Sequence, residues 1–185
     1  MRRVTFLTLL LAAVAARVVA DDSATRAAGE DLAVLKGAIN HLCLKDDGRR
    51  EIISDSPDEW GAADHLPDAR LTREYGAQLS SRSAAKDSWP LASLCTNVSV
   101  IRGARIRAFF AKDRRIPPGW EGFEKEFGTR GYLTATRPVY SADRTRAIIS
   151  LGSHCGELCG SGRVIELTRT TDGWRVLHTF NTWIS

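Results

Sequence analysis

The chain has 185 residues, of which 26 are Lys or Arg, 22 are Asp or Glu and 43% are hydrophobic. That length and apolar share exclude a disordered chain, and a small scaffold held by disulfides alone, and fit one domain with a proper core. Three of the basic residues, Arg2, Arg3 and Arg17, lie in the first twenty positions, so without that segment 23 basic residues stand against 22 acidic ones. A balance that even, with no clustered basic face, excludes nucleic acid as a partner.

The first twenty residues, MRRVTFLTLLLAAVAARVVA, read as a secretory signal peptide. Arg2 and Arg3 form the positive start, Phe6 to Ala16 the apolar stretch, and Val18 and Ala20 the small residues before a cleavage point at Asp21. A spanning helix needs about 20 apolar residues, and Arg17 interrupts this run first. No cysteine lies near the cleavage point to carry a lipid, and no later run is long enough to span. The expectation is residues 1–20 as leader and 21–185 as one periplasmic or secreted α+β domain.

Residues 21–29 are polar and alanine-rich and read as a loose arm. From Glu30 onward Leu32, Leu35, Ile39 and Leu42, with Cys43 beside it, recur at helical spacing until Lys45-Asp46-Asp47-Gly48 stops them. A short strand is expected over Arg50–Ser54. Ser56-Pro57-Asp58-Glu59 is a helix start, with a serine cap, proline at the first position and Glu three residues after the cap. Leu71, Tyr75 and Leu79 share one face of a second helix over about 68–79, and 80–90 is expected to be loop. Val98, Val100 and Ile101 read as a strand, and Ile106 to Phe110 as strand or helix. Trp120, Phe123 and Phe127 sit at helical spacing after Pro117-Pro118-Gly119, and such a stripe is read as core-facing packing. Glu121, Glu124 and Glu126 on the same helix read as a solvated surface.

From Tyr132 the pattern is β: 132–139, 146–152, 163–169 and 174–184, separated by Ser141-Ala142-Asp143, a glycine-rich loop at 156–162, and the hairpin signal Asp172-Gly173. Short turns imply antiparallel pairing. The expected fold is therefore α+β, with N-terminal helices packed on one face of a C-terminal antiparallel sheet, in a cystatin-like or nuclear-transport-factor-like cone.

Four cysteines in an exported chain read as disulfides, and three connectivities are possible. Local closure favours Cys155–Cys159 at the neck of a loop and Cys43–Cys95 between the first helix and the sheet. Two alternatives use the same residues. Redox chemistry calls for Cys-x-x-Cys at a helix N-terminus, whereas this spacing is Cys-x-x-x-Cys between strands. Metal binding would combine His154, Cys155 and Cys159 with His178 or His41. The histidines are His41, His65, His154 and His178, and His154 with the nearby serines Ser153 and Ser161 is the candidate for a hydrolase. No Gly-x-Ser-x-Gly elbow accompanies it, the glycines at 156, 160 and 162 form no phosphate loop, and no cofactor is implied. Asn97-Val98-Ser99 matches a glycosylation sequon. The candidate functional loop is His154, Cys155, Gly156, Cys159, Gly160 and Gly162. The favoured function is a disulfide-stabilised interaction or binding domain whose partner is a protein or small ligand of the cell envelope.

Arg137-Pro138-Val139-Tyr140-Ser141-Ala142-Asp143, Ala147-Ile148-Ile149, the Cys155–Gly162 segment and Gly173-Trp174-Arg175-Val176 together resemble a pattern found in uncharacterised exported bacterial proteins. Its form is S-x-P-x-x-S-x-D, an apolar strand, C-G-x-L-C-G-x-G, a strand and G-x-W-x-V, with Gly119-Trp120, Phe123 and Phe127 before it. Here Thr136 stands at the first position. The resemblance covers about residues 117–185; it implies export and the β meander, and no catalytic residue.

Overall fold

The computed structural model describes residues 26–45, 48–56, 66–84, 88–111, 119–156 and 159–185. The expected leader, the expected helix start at 57–59, His65 and the prolines at 117–118 lie outside them. Contacts divide the chain into two units, Met1–Ala33 and Val34–Ser185. In the first unit residues 26–33 are helical, so the expected loose arm is helical over its last four positions. Its Ala and Glu residues are strong helix formers.

The second unit opens with helical residues 34–38 (α1), followed by α2 (Asn40–Cys43) and β1 (Glu51–Ser54). Next come α3 (Ala69–Ala84), β2 (Ser93–Cys95), β3 (Val98–Ile101), α4 (Gly103–Arg107) and α5 (Gly119–Phe127). The chain ends in β4 (Tyr132–Ala135), β5 (Val139–Tyr140), β6 (Arg146–His154), β7 (Gly160–Thr170) and β8 (Gly173–Ile184). The fold is α+β. Its strands form one sheet in the order β2-β3-β1-β4-β6-β7-β8, with β5 also on β6.

The expected antiparallel meander is present from β4 to β8. The sheet is nevertheless mixed, because β1 lies parallel to both β3 and β4. The connection from β1 to β3 contains α3, long enough for a parallel crossover. Helices also cover both faces rather than one. In β6 Ala147, Ile148 and Ile149 are consecutively buried, and in β7 Val164, Ile165, Glu166 and Leu167. A strand that is continuously apolar instead of alternating is one buried on both sides.

On one face, Leu71, Tyr75 and Leu79 of α3 pack on Val139, Ile148 and Val164. The side chain of Asp68 caps this helix by accepting from the Leu71 N–H at 2.8 Å. The helix continues to Ala84 through residues expected to be loop, since Ser80, Ser81 and Arg82 do not break it. Beside α3, Ile106 of α4 and Phe109 in the turn after it meet Phe123 and Ile52, with Phe127 and Tyr132 at the edge, which places Phe123 and Phe127 of the aromatic stripe toward the core as expected. On the opposite face Gly37 of α1 lies so close to Trp174 and Leu167 that a Cβ would stand 2.6 Å from the Trp174 carbonyl oxygen. Only glycine permits that approach.

Much of the C-terminal signature has a structural explanation. Pro138 has no N–H for the ladder, and the break between β4 and β5 is bridged by Thr136, whose N–H donates to Ser150 O and whose Oγ1 accepts from Ser150 N–H, both at 3.0 Å. In the β5–β6 turn Asp143 accepts from the Ser141 hydroxyl at 2.6 Å and the Thr145 N–H at 3.1 Å, with Arg144 at a left-handed φ of 57°. Those bonds, the Ser141 one first, hold the Asp143 carboxyl down at about 2. A depressed carboxylate contributes stability above its unfolded value of about 3.9, and that contribution disappears as pH falls through 2. Asp143→Ala is thus expected to be less stable than the parent in urea at neutral pH, with the gap closing between about pH 4 and pH 2. A gap that is constant with pH would mean the carboxylate charge is not what the turn uses.

Candidate functional site

All four cysteines are bridged, Cys43 to Cys95 and Cys155 to Cys159, with Cα–Cα separations of 5.8 and 5.1 Å. The second bridge closes the β6–β7 connection, where the Cys155 N–H also donates to Cys159 O at 2.8 Å. Bonded to each other, these sulfurs offer no thiolate to a metal. Among the described residues no three His, Cys, Asp or Glu side chains cluster as a metal site would require.

His154 and Ser153 are neighbours in a regular strand and therefore point to opposite faces. His154 stacks on Tyr132 at 4.9 Å and 21°, and its Nε2 lies 3.3 Å from Thr134 Oγ1. Trp183 stands beyond it at 6.1 Å. Gly160 and Gly162 are where the Trp183 ring lies against β7; a Cβ at either would collide with that ring. Ser153 pairs with Ser161 on the other side of the sheet. A nucleophile and its base must be within hydrogen-bond reach, and the pairing of His154 with Ser153 or Ser161 does not meet this. The candidate loop therefore divides: His154, Gly160 and Gly162 build an aromatic edge with Trp183 on one face, while Cys155 turns to the rim of a groove.

That groove lies on the Ser153 face. The face of β4, β6 and β7 that carries Ala135, Ile149 and Leu167 changes toward its other end to Leu133, Ser153, Ser161 and Arg163. Two adjoining hollows open there, of about 590 and 200 Å³, sharing Glu51, Leu133 and Ser153. The smaller is walled by His41, Leu42 and Lys45 from the end of the N-terminal helices, and by Ser161 and Arg163 of β7. The larger runs past Arg49, Tyr132 and Cys155 to the segment Gly128–Gly131 and Glu124. Gly131 is obligatory in this wall, since a Cβ there would stand 2.5 Å from His154 O.

The walls are held by specific bonds. Asn97 Nδ2 donates to Lys45 O at 2.7 Å, so the asparagine of the sequon ties down the chain that follows α2, beside the Cys43–Cys95 bridge. Arg130 is paired through Nε with both oxygens of Glu124, at 2.9 and 3.0 Å, which raises the Arg130 pKa. Arg105 of α4 and Glu126 of α5 form a second pair. His41 has its pKa lowered, first by desolvation against the groove wall and then by Lys45 and Arg163, with Glu51 acting the other way.

Comparison with protein-family models, curated proteins and solved structures finds no match. The cone-like form expected from sequence gains no support from a known structure. Of the other histidines, His178 is exposed on β8 and distant in the sheet register from His154. Arg49, Glu51, Arg130 and Arg163 each read in the sequence as an ordinary surface charge, and Lys45 as part of a turn. One signal was present: Arg163 stands two residues before Ile165 and four before Leu167. A charge in phase with the buried residues of a strand marks where its inner face meets water.

Proposed function

We propose that this chain is an exported protein whose disulfide-stabilised α+β domain binds a small polar ligand in the groove beside the Cys155–Cys159 bridge. The groove supports this reading most directly. Its larger hollow falls within the few hundred to a thousand Å³ of small-molecule sites, and its lining converges from five segments of the fold. The leader and the complete pairing of the cysteines support export. Among the described residues no helix is long and apolar enough to cross a membrane. The division of His154 from the serines favours binding over hydrolysis.

Ser153 lines both hollows, so Ser153→Trp is expected to close them without touching the opposite face. Amide spectra of the oxidised protein, titrated with monosaccharides, sugar acids and amino acids, should show shifts confined to Leu133, Ser153, Ser161 and their neighbours. The variant should bind at least ten times more weakly. Shifts confined to the His154 face, or none with any compound at about 1 mM, would contradict the assignment.

A further inference from the structure

We propose that the ligand of this groove is an anion-bearing, hydroxyl-rich molecule, its carboxylate or phosphate held by Lys45 and Arg163 in the smaller hollow; this rests on the binding reading above. Charge is divided unevenly between the hollows. In the larger one Arg130 is neutralised by Glu124, and Arg49 and Glu51 bring one charge of each sign. A wall with cations, carboxylates and hydroxyls both donates and accepts hydrogen bonds. That lining suits a polyol body and gives an apolar one little to bury against. The smaller hollow is lined by Lys45 and Arg163 against the single carboxylate Glu51, with Ser153 and Ser161 also in its lining. Neither cation has an ion-pair partner among the described residues. Two cations lining one hollow of roughly 200 Å³ can act together on one anionic group, and charge-assisted bonds are about twice as strong as neutral ones. His41 lines the same hollow, and its pKa is lowered first by desolvation and then by Lys45 and Arg163.

His41 supplies a readout that a merely structural role would not move. The groups acting on its ring are Lys45, Arg163 and Glu51, and an anion placed between the two cations offsets them and raises the His41 pKa. The experiment titrates the oxidised protein with D-glucuronate, D-glucose and inorganic phosphate, following backbone amides and the His41 ring by NMR. Glucuronate is expected to bind at the groove at least ten times more tightly than glucose and to raise the His41 pKa. Phosphate alone should bind at Lys45 and Arg163 and raise the His41 pKa while leaving the larger hollow unperturbed. Arg163→Gln and Lys45→Gln, both exposed positions, should each weaken glucuronate about tenfold without changing the fold. Equal binding of glucose and glucuronate, abolished by Ser153→Trp, would overturn the anion and leave the groove standing. Glucuronate binding that is indifferent to both Gln variants would do the same. No binding at the groove by any of the three probes would overturn both readings.

Discussion

Replacing Cys43 and Cys95 together by alanine is expected to destabilise the domain by about 4 kcal/mol, against about 2 kcal/mol for removing Cys155 and Cys159. The difference follows from how much unfolded chain each bridge restrains. Cys43 and Cys95 are separated by 52 residues and Cys155 and Cys159 by four, and the entropy removed from the unfolded state grows with the logarithm of that length. For a domain of this size the first loss corresponds to roughly 10 °C in Tm. The long bridge also joins α2 to β2, next to the chain that positions Lys45. The C43A/C95A variant should therefore lose ligand affinity as well as stability, whereas C155A/C159A should chiefly loosen the groove rim. Thermal unfolding of both double variants checks the order, and an equal or larger loss from the short bridge would contradict it.

The second large effect concerns a charge in the core. Glu166 is fully buried on the α3 face of β7, and Arg70 of α3 meets it with two parallel bonds, at 3.0 and 2.9 Å. Arg146 stands farther off at 3.6 Å. The bond to Glu166 raises the pKa of Arg70, so the guanidinium stays charged throughout the useful pH range. Nearby, burial pushes the pKa of the Tyr75 hydroxyl well up, with the Glu74 and Glu166 carboxylates acting in the same direction. Truncating Arg70 to alanine leaves a buried carboxylate with only the more distant cation. Breaking a fully buried pair costs about 3–5 kcal/mol. The Arg70 side chain is 42% exposed, and screening reduces the expected loss to about 2–3 kcal/mol. Replacing both partners, as Arg70→Met with Glu166→Leu, should recover most of that, because the uncompensated charge goes too. Urea unfolding of the single and double variants measures this; a double variant as unstable as R70A would mean that the pair does more than compensate itself.

These two devices differ in how far they could be read from the chain. The Cys43–Cys95 bridge was legible, because the export expected from the sequence narrows the chemistry of cysteine and an even count narrows the pairing. So were the α3 face of Leu71, Tyr75 and Leu79, the aromatic stripe of α5, and the meander, all of which rest on local periodicity. Glu166 reads like any polar residue in an alternating strand. Its burial depends on α3 covering that face, and the continuous apolar run around it was the available sign of a second covered face. The parallel pairing of β1 with β3 and β4 was not legible, since nothing local records which strands meet across a long connection. The groove belongs to the same class. His41 and Lys45, Leu133, Ser153 and Arg163 come from four separate stretches, and only the sheet register brings them together. His154, Gly160 and Gly162, which stand out in the sequence, lie on the opposite face, and Cys155 lies at the rim of the groove.

The account as a whole requires a chain that leaves the cytoplasm, loses its leader and closes both bridges before it binds anything. The most direct test is the intact mass of the full-length gene product recovered after native export, before and after reduction. The expected species begins at Asp21 and weighs four hydrogens less than the reduced chain of residues 21–185. A product that retains residues 1–20 and has four free thiols would contradict it.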